Sequence, residues 1–247
     1  DTIQSLDNTG TSTVNAAFTT SGNITNNNTG TVDINAATDV QGSFTNNSGG
    51  TIDQAGDLSV TNNALTNDGM LNVTATSTAN VDTFVGATTG IVDIAGGETL
   101  TLNQSGDSNY SGIFQNSGTL DKTGVGALTL TGDSTQSGGL NVQAGTIDTT
   151  GGGTLADTND VVVSSGANYM VGAADTIQSL TNNGTTTLNA ALTTTSLDGA
   201  GALNLNANTI TAESGSYGGV ISGTGTLTKT GASDLSLSGT SSYSGTT

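Results

Sequence analysis

The side chains in this sequence that could do chemistry are few. Two triplets, Gly106-Asp107-Ser108 and Gly132-Asp133-Ser134, have the form of a turn that presents a nucleophilic serine. Such a serine needs a base within hydrogen-bond reach, and histidine is the usual one. The 247-residue chain contains no histidine. Its only two cations, Lys122 and Lys229, occupy the same place in a repeated phrase. That placement marks them as structural, with each ammonium bonded to turn carbonyls rather than serving a serine. Gly-Asp-Ser then reads as turn chemistry. Asp157 and Asp160 could act as an acid–base pair on a glycan. They lie in a Gly- and Asn-rich loop that would solvate them, and the chain has no Arg, His or Trp to hold a sugar. A polysaccharide-acting enzyme is therefore the weakest of three readings, and no catalytic residue or cofactor site is assigned.

A more regular set is Asp33, Asp53, Asn72, Asp93, Asp121 and Asp148. Each falls three residues after a glycine, the first four after Gly30, Gly50, Gly69 and Gly90. If successive phrases stack, Asp33 and Asp53 come within ~5 Å of each other. Carboxylates that close repel unless water screens them or a cation bridges them. Two readings follow. One is a solvated acidic stripe that discourages lateral aggregation. The other is a calcium site at Asp33, Asp53 and Asp93, since oxygen-only ligands suit that ion.

The elements that would position these groups follow from one phrase. Thr25-Asn26-Asn27-Asn28-Thr29-Gly30-Thr31-Val32-Asp33-Ile34 is an Asn-rich turn, a glycine and a short alternating strand. It returns around Gly10, Gly50, Gly69 and Gly90, so that the marker glycines stand 20, 20, 19 and 21 residues apart. A period near twenty with strand alternation predicts an all-β solenoid, because one phrase cannot bury its apolar side and stacked phrases can. Val32, Ile34, Ala36, Ile52, Leu71, Val73, Val92 and Ile94 should point inward, and Thr31, Asp33 and Asn35 outward. Phe18, Phe44 and Phe84 should fill the core. Asn26, Asn46 and Asn67 precede equivalent glycines and should stack as a ladder of amides. Asn and Gly should supply left-handed turns. About eleven or twelve coils would make a rod of ~55 Å. An outward Thr row begins at Thr11, Thr31 and Thr51, but strict Thr-x-Thr columns do not persist, which argues against an ice-binding surface.

Composition agrees. Hydrophobic residues are 32% and charged residues 9%, values that alone would suit a disordered linker. The apolar alternation and the absence of proline oppose that reading, since proline would delete a ladder hydrogen bond. A net charge of −18 excludes nucleic acid as a natural partner and disfavours an anionic membrane surface. There is no cysteine. No apolar run approaches membrane-spanning length, so this segment is not expected to insert directly. The chain begins inside a motif, as a mature or excised segment would.

Two longer repeats overlie the short one. Asp1-Thr2-Ile3-Gln4-Ser5-Leu6 recurs at Asp175-Thr176-Ile177-Gln178-Ser179-Leu180, an offset of 174. The phrase Gly118-Thr119-Leu120-Asp121-Lys122-Thr123-Gly124 recurs as Gly225-Thr226-Leu227-Thr228-Lys229-Thr230-Gly231. Each copy is followed by Leu-x-Leu-x-Gly, and Tyr243-Ser244-Gly245 closes the second, where the first has Gln136 in place of the tyrosine. Tyr110, Tyr169, Tyr217 and Tyr243 lie in turns and are expected to pack their rings. The array divides into coils 1–108, a repeat at 109–149, linking coils at 150–216 with the duplicated start at 175, and a second, truncated repeat at 217–247.

Over 116–147 and 223–247 these phrases resemble the passenger-associated repeat of bacterial autotransporters. The resemblance implies one continuous right-handed, single-stranded parallel β-helix over 1–247, exported to the cell surface. It implies a non-catalytic adhesin or autoaggregation module, with the full-length chain tethered by a C-terminal outer-membrane barrel. The partner would be another copy, or a host or matrix glycan or protein. A passive stalk or extracellular filament is the alternative.

Overall fold

The computed structural model describes residues 2–247. Asp1, where the duplicated phrase begins, lies outside them. The described residues form an all-β parallel solenoid of about 12 coils, each about 20 residues, with no helix. Thr31–Ile34, Thr51–Gln54, Met70–Val73 and Ile91–Ile94 stack in parallel, each strand directly on the next. Each of these strands alternates half-exposed and buried positions. The alternation follows from the pleat, which sends successive side chains to opposite faces.

The core is a set of columns rather than a centre. One inward column runs Val32–Ile52–Leu71–Val92–Phe114 and its neighbour runs Ile34–Gln54–Val73–Ile94. Ala36 does not join them. Its strand ends at Ile34, the chain turns the corner at Asn35, and Ala36 is only half-buried. Phe44 and Phe84 are buried, while Phe18, near the N-terminal end of the stack, is half-buried. Phe84, Tyr110 and Phe114 form an aromatic cluster, with ring centroids 4.7 Å apart for Phe84–Tyr110 and 5.3 Å for Tyr110–Phe114.

One 17-stranded sheet runs the length of the stack. A six-stranded sheet forms a second wall over the early coils, and a seven-stranded sheet beginning at Ser108–Tyr110 takes its place over the later ones. Coils differ in length without breaking the ladder. Thr31 pairs with Thr51 twenty residues on, Asp175 with Leu192 seventeen on, and Ser77 with Leu100 twenty-three on. Extra residues are taken up at corners. The strand Leu58–Asn67 shifts register between Val60 and Ala64, and Asn62 there takes a left-handed φ of 58°. Asparagine tolerates that conformation better than other non-glycine residues.

Leu71 is completely buried between Ile52 and Val92. Leu71→Ala should cost about 2–5 kcal/mol, because neighbours fixed by backbone ladders cannot collapse into the gap. Chemical denaturation of the two chains checks this. A change under about 1 kcal/mol would contradict rigid columnar packing.

Candidate functional site

The expected amide ladder is present and starts one coil earlier, at Asn8. Asn8 Nδ2 donates to Asn26 Oδ1, Asn26 Nδ2 to Asn46 Oδ1 and Asn46 Nδ2 to Asn67 Oδ1, each at 2.8 Å. Each of the last three amides also reaches backbone carbonyls, as Asn26 does to Gly30 O and Thr51 O. Asn26, Asn46 and Asn67 have no exposed surface. This ladder explains the marker glycines differently from the sequence reading. Gly10, Gly30, Gly50, Gly69 and Gly90 are not left-handed; other glycines, such as Gly49 and Gly97, supply those turns. A Cβ on Gly50 would lie 2.6 Å from Asn46 Oδ1 and 2.9 Å from Asn26 Nδ2. The ladder fills the space a side chain would need. Gly10 differs, since a Cβ there would meet nothing. Gly118 and Gly225 are likewise pressed against backbone of the neighbouring coil.

The ladder ends on a tyrosine. Asn67 Nδ2 donates to Tyr110 Oη at 3.2 Å. The position between them is Gly86, which bridges to Tyr110 and leaves room for its ring. The same three parts recur as Asn182, Gly199 and Tyr217. Asn182 Nδ2 donates to Tyr217 Oη at 2.9 Å, and Tyr217 Oη donates to Gly201 O at 2.8 Å. Tyr110, Tyr169 and Tyr217 pack their rings in the core as expected, but from strands rather than turns, and Tyr243 is only partly buried. Burial raises the phenol pKa of the first three.

The repeat lysines do what their spacing suggested. Lys122 is enclosed between Leu102 and Val142, and its Nζ donates to Thr123 O at 2.7 Å and Gly124 O at 3.3 Å. Lys229 bonds Thr230 O and Gly231 O in the same way, but in the last coils of the stack it remains exposed. Burial lowers the Lys122 pKa to about 8, against a smaller opposing pull from Asp107. Gln136, which stands where the second copy has Tyr243, is also buried and donates to Gly118 O at 2.6 Å.

Outside, Asp33 and Asp53 are register neighbours, whereas Asp93 is separated from Asp53 by Asn72. Amides and hydroxyls address these carboxylates. Thr13 Oγ1 donates to Asp33 at 2.9 Å, Asn72 Nδ2 to Asp53 at 2.7 Å, and Gln115 Nε2 to Asp93 at 2.6 Å. Asp121 and Asp148 leave the stripe altogether. Asp121 lies in the 17-stranded sheet beside Asn141, and Asp148 in the seven-stranded sheet beside Met170. Equal spacing from a glycine did not place them together because coil length and wall change between the early and later coils. Among the described residues no three acidic side chains gather as a metal-holding group.

The Gly-Asp-Ser triplets serve turns. Asp107 Oδ1 accepts Ala127 N at 2.8 Å, and Ser108 Oγ accepts Gln104 Nε2 at 2.7 Å. Asp160 accepts Ser179 Oγ at 2.5 Å, while Asp157 lines a cleft with Asp175. Sequence reasoning missed Asp175, a carboxylate only 9% exposed that lines a cleft of about 330 Å³ with Thr154, Leu155, Asp157, Thr176 and Thr193. Its signal was an aspartate at an inward strand position, opposite Leu192.

Fold and interior together define a parallel β-solenoid stapled by buried amides. Residues 120–148 and 227–247 match the passenger-associated-transport-repeat family model. The chain therefore carries two copies of the repeat found in autotransporter passenger domains, at the stretches where Lys122 and Lys229 lie. No curated protein and no solved structure matches the chain.

Asn46→Ala should destabilise by about 2–4 kcal/mol, since it orphans buried groups on Asn26 and Asn67. Asn72→Ala, on the outer face, should cost about 1 kcal/mol or less. Equal losses in thermal or chemical unfolding would contradict the ladder's importance. For Lys122, the folded chain releases its proton near pH 8 and the unfolded chain near 10.5. Between those values the unfolded state holds more protons, so this group's contribution to stability rises with pH. Above pH ~10 the buried tyrosines act oppositely. Melting temperature should therefore climb from about pH 8 and turn over near pH 10, and the climb should vanish in Lys122→Met.

Proposed function

We propose that this chain is a non-catalytic, surface-displayed passenger segment that mediates adhesion by lateral contact between solenoids. The supporting observation is the outer face of the six-stranded sheet. One column there runs Thr11–Thr31–Thr51–Met70–Ile91–Ile113 and changes from hydroxyl to apolar side chains that stay half-exposed. Beside it runs Thr13–Asp33–Asp53–Asn72–Asp93–Gln115. A flat face of this kind offers many weak contacts at a fixed repeat of ~4.8 Å, and avidity multiplies them along the rod. The favoured partner is a second copy; a host or matrix glycan or protein is the other class. The two copies of the passenger repeat support export to the cell surface, and a barrel elsewhere in the full-length protein would tether the rod.

Two chains of charge −18 repel, and salt screens that repulsion. Sedimentation velocity should show lateral dimers that grow with protein concentration, strengthen from about 0.02 M to about 0.5 M salt, and weaken in Ile91→Asp. Negative-stain images should show rods side by side rather than end to end. A monomer under every condition would sink homotypic adhesion and favour a passive stalk. Dimers indifferent to Ile91→Asp would move the contact to another face.

A further inference from the structure

The even period of the early coils gives way to a second kind of column in the later ones. There the coils are shorter and uneven, and pairing sets Thr176 on Thr193, Thr193 on Thr211 and Thr211 on Thr228. The steps are seventeen, eighteen and seventeen residues, so no single period marks the row in the sequence. All four side chains face out of the 17-stranded sheet, the first two exposed and the others half-exposed. Two residues before the column, Thr209 pairs with Thr226 on the same face. Two residues after it stand Thr195, Glu213 and Thr230, all exposed. Strands alternate and coils stack, so these groups form a grid of ~6.7 Å along each strand by ~4.8 Å from coil to coil. The row that starts at Thr11 behaves differently, since its fourth member is Met70.

The hydroxyls of this grid are free. Among the described residues, those of Thr176, Thr193, Thr211 and Thr228 have no hydrogen-bond partner, and of the flanking threonines only Thr226 has a hydroxyl contact, with Thr246 at 3.5 Å. Outward threonines elsewhere are taken up by carboxylates: Thr13 by Asp33, Thr61 by Asp39 and Thr76 by Glu98. Glu213 is the one acid within the grid. Lys229 beside it is bonded to Thr230 O and Gly231 O. The one aromatic ring on these four strands, Tyr217, is buried. The face therefore offers no ring on which a sugar could stack, and no three acidic side chains gather there, among the described residues, to hold a cation. Thr176 and Thr193 also edge the cleft beside Asp175, which bounds the grid on that side.

We propose that this threonine grid is a second binding surface and that its ligand is ice. Threonine is β-branched and stiff at χ1, so each node holds a methyl beside a hydroxyl in a fixed direction. The hydroxyl both donates and accepts, and it anchors a water at each node. Water over the methyl has no protein partner and bonds to its neighbouring waters. The backbone ladder fixes the nodes before any ligand arrives, which removes the cost of ordering flexible side chains. The two repeats of the grid lie close to the two repeats of oxygen on a prism face of ice. Waters anchored there are already placed as a layer of the crystal. Glu213 works against the fit, because a carboxylate orders water about its charge rather than in a lattice. The surface lies on the 17-stranded sheet and is independent of the lateral contact proposed for the six-stranded one.

Ice grown slowly through a solution of the intact chain tests this, with the protein measured in the ice and in the remaining liquid. A bystander protein is pushed ahead of the growing ice. This chain should be enriched in it, and the same solution should show thermal hysteresis. Thr211→Tyr, at the centre of the grid, should lose most of that enrichment. Should that variant not fold, Thr193→Tyr, at a more exposed node, should show the same loss. Thr187→Tyr, facing outward on the seven-stranded sheet, should keep the enrichment. Glu213→Thr, which replaces the acid with another node, should raise both enrichment and hysteresis. Exclusion of the chain from ice, enrichment that survives at both grid positions, an equal loss in Thr187→Tyr, or no gain in Glu213→Thr would each overturn the proposal.

Discussion

A parallel solenoid has a core only as wide as two facing strands, and every coil must turn corners inside it. Each corner points backbone N–H and carbonyl groups at a space that water does not enter. Those groups need partners, because an unpaired buried one costs about 1–3 kcal/mol. In the early coils the partner is an asparagine side chain. One amide can share its two N–H hydrogens among its own turn, the next coil's backbone and the next amide, as Asn26 does. The same side chain serves both the turn and the stack, so the repeat distance of the sequence and the repeat distance of the rod are tied together.

Where the ladder stops, other polar groups take over the same task. Tyr110 and Tyr217 receive the last amide, and Lys122 covers two carbonyls at its own turn. Gln104 and Gln136 do likewise from inward positions, the first donating to Gly106 O and Ala127 O. Asp175 is the one acidic member of this group, and it accepts N–H groups where the others mainly donate. A narrow core can tolerate these residues because each buries a polar tip against backbone rather than against hydrocarbon. The cost falls on the ionisable members. Lysine and aspartate both shift toward neutrality, as low-dielectric burial requires.

The outside is governed by different physics. There side chains repeat at strand spacing, and like charges in one column repel. Asparagine, glutamine and threonine interleave with the aspartates and donate to them, so the acidic stripe is held in place by amides and hydroxyls of adjacent coils. Further along the same wall the neighbouring column turns apolar at Met70, Ile91 and Ile113. The outer face of the six-stranded sheet therefore carries an acidic and amide column beside one that passes from threonine to half-exposed apolar side chains.

The sequence by itself determined the solenoid. A twenty-residue recurrence, two-residue alternation and asparagine before glycine can be read in one dimension, because each describes contacts between residues whose separation repeats. Val32, Ile52 and Leu71 were assignable to one column for that reason, and Asn26, Asn46 and Asn67 to one ladder. The lysines' bonds to turn carbonyls were also legible, because donor and acceptors are one or two residues apart. The tertiary structure decided what depends on irregular coils. It moved Asp121 and Asp148 to other walls, left Ala36 at a corner, and showed that Gly30, Gly50 and Gly69 make room for ladder amides rather than bend the chain. It alone joined Tyr110 to Asn67 across 43 residues and Asp175 to Leu155 across 20. Such pairings turn on how each coil spends its extra residues at a corner, and a periodic pattern carries no record of that.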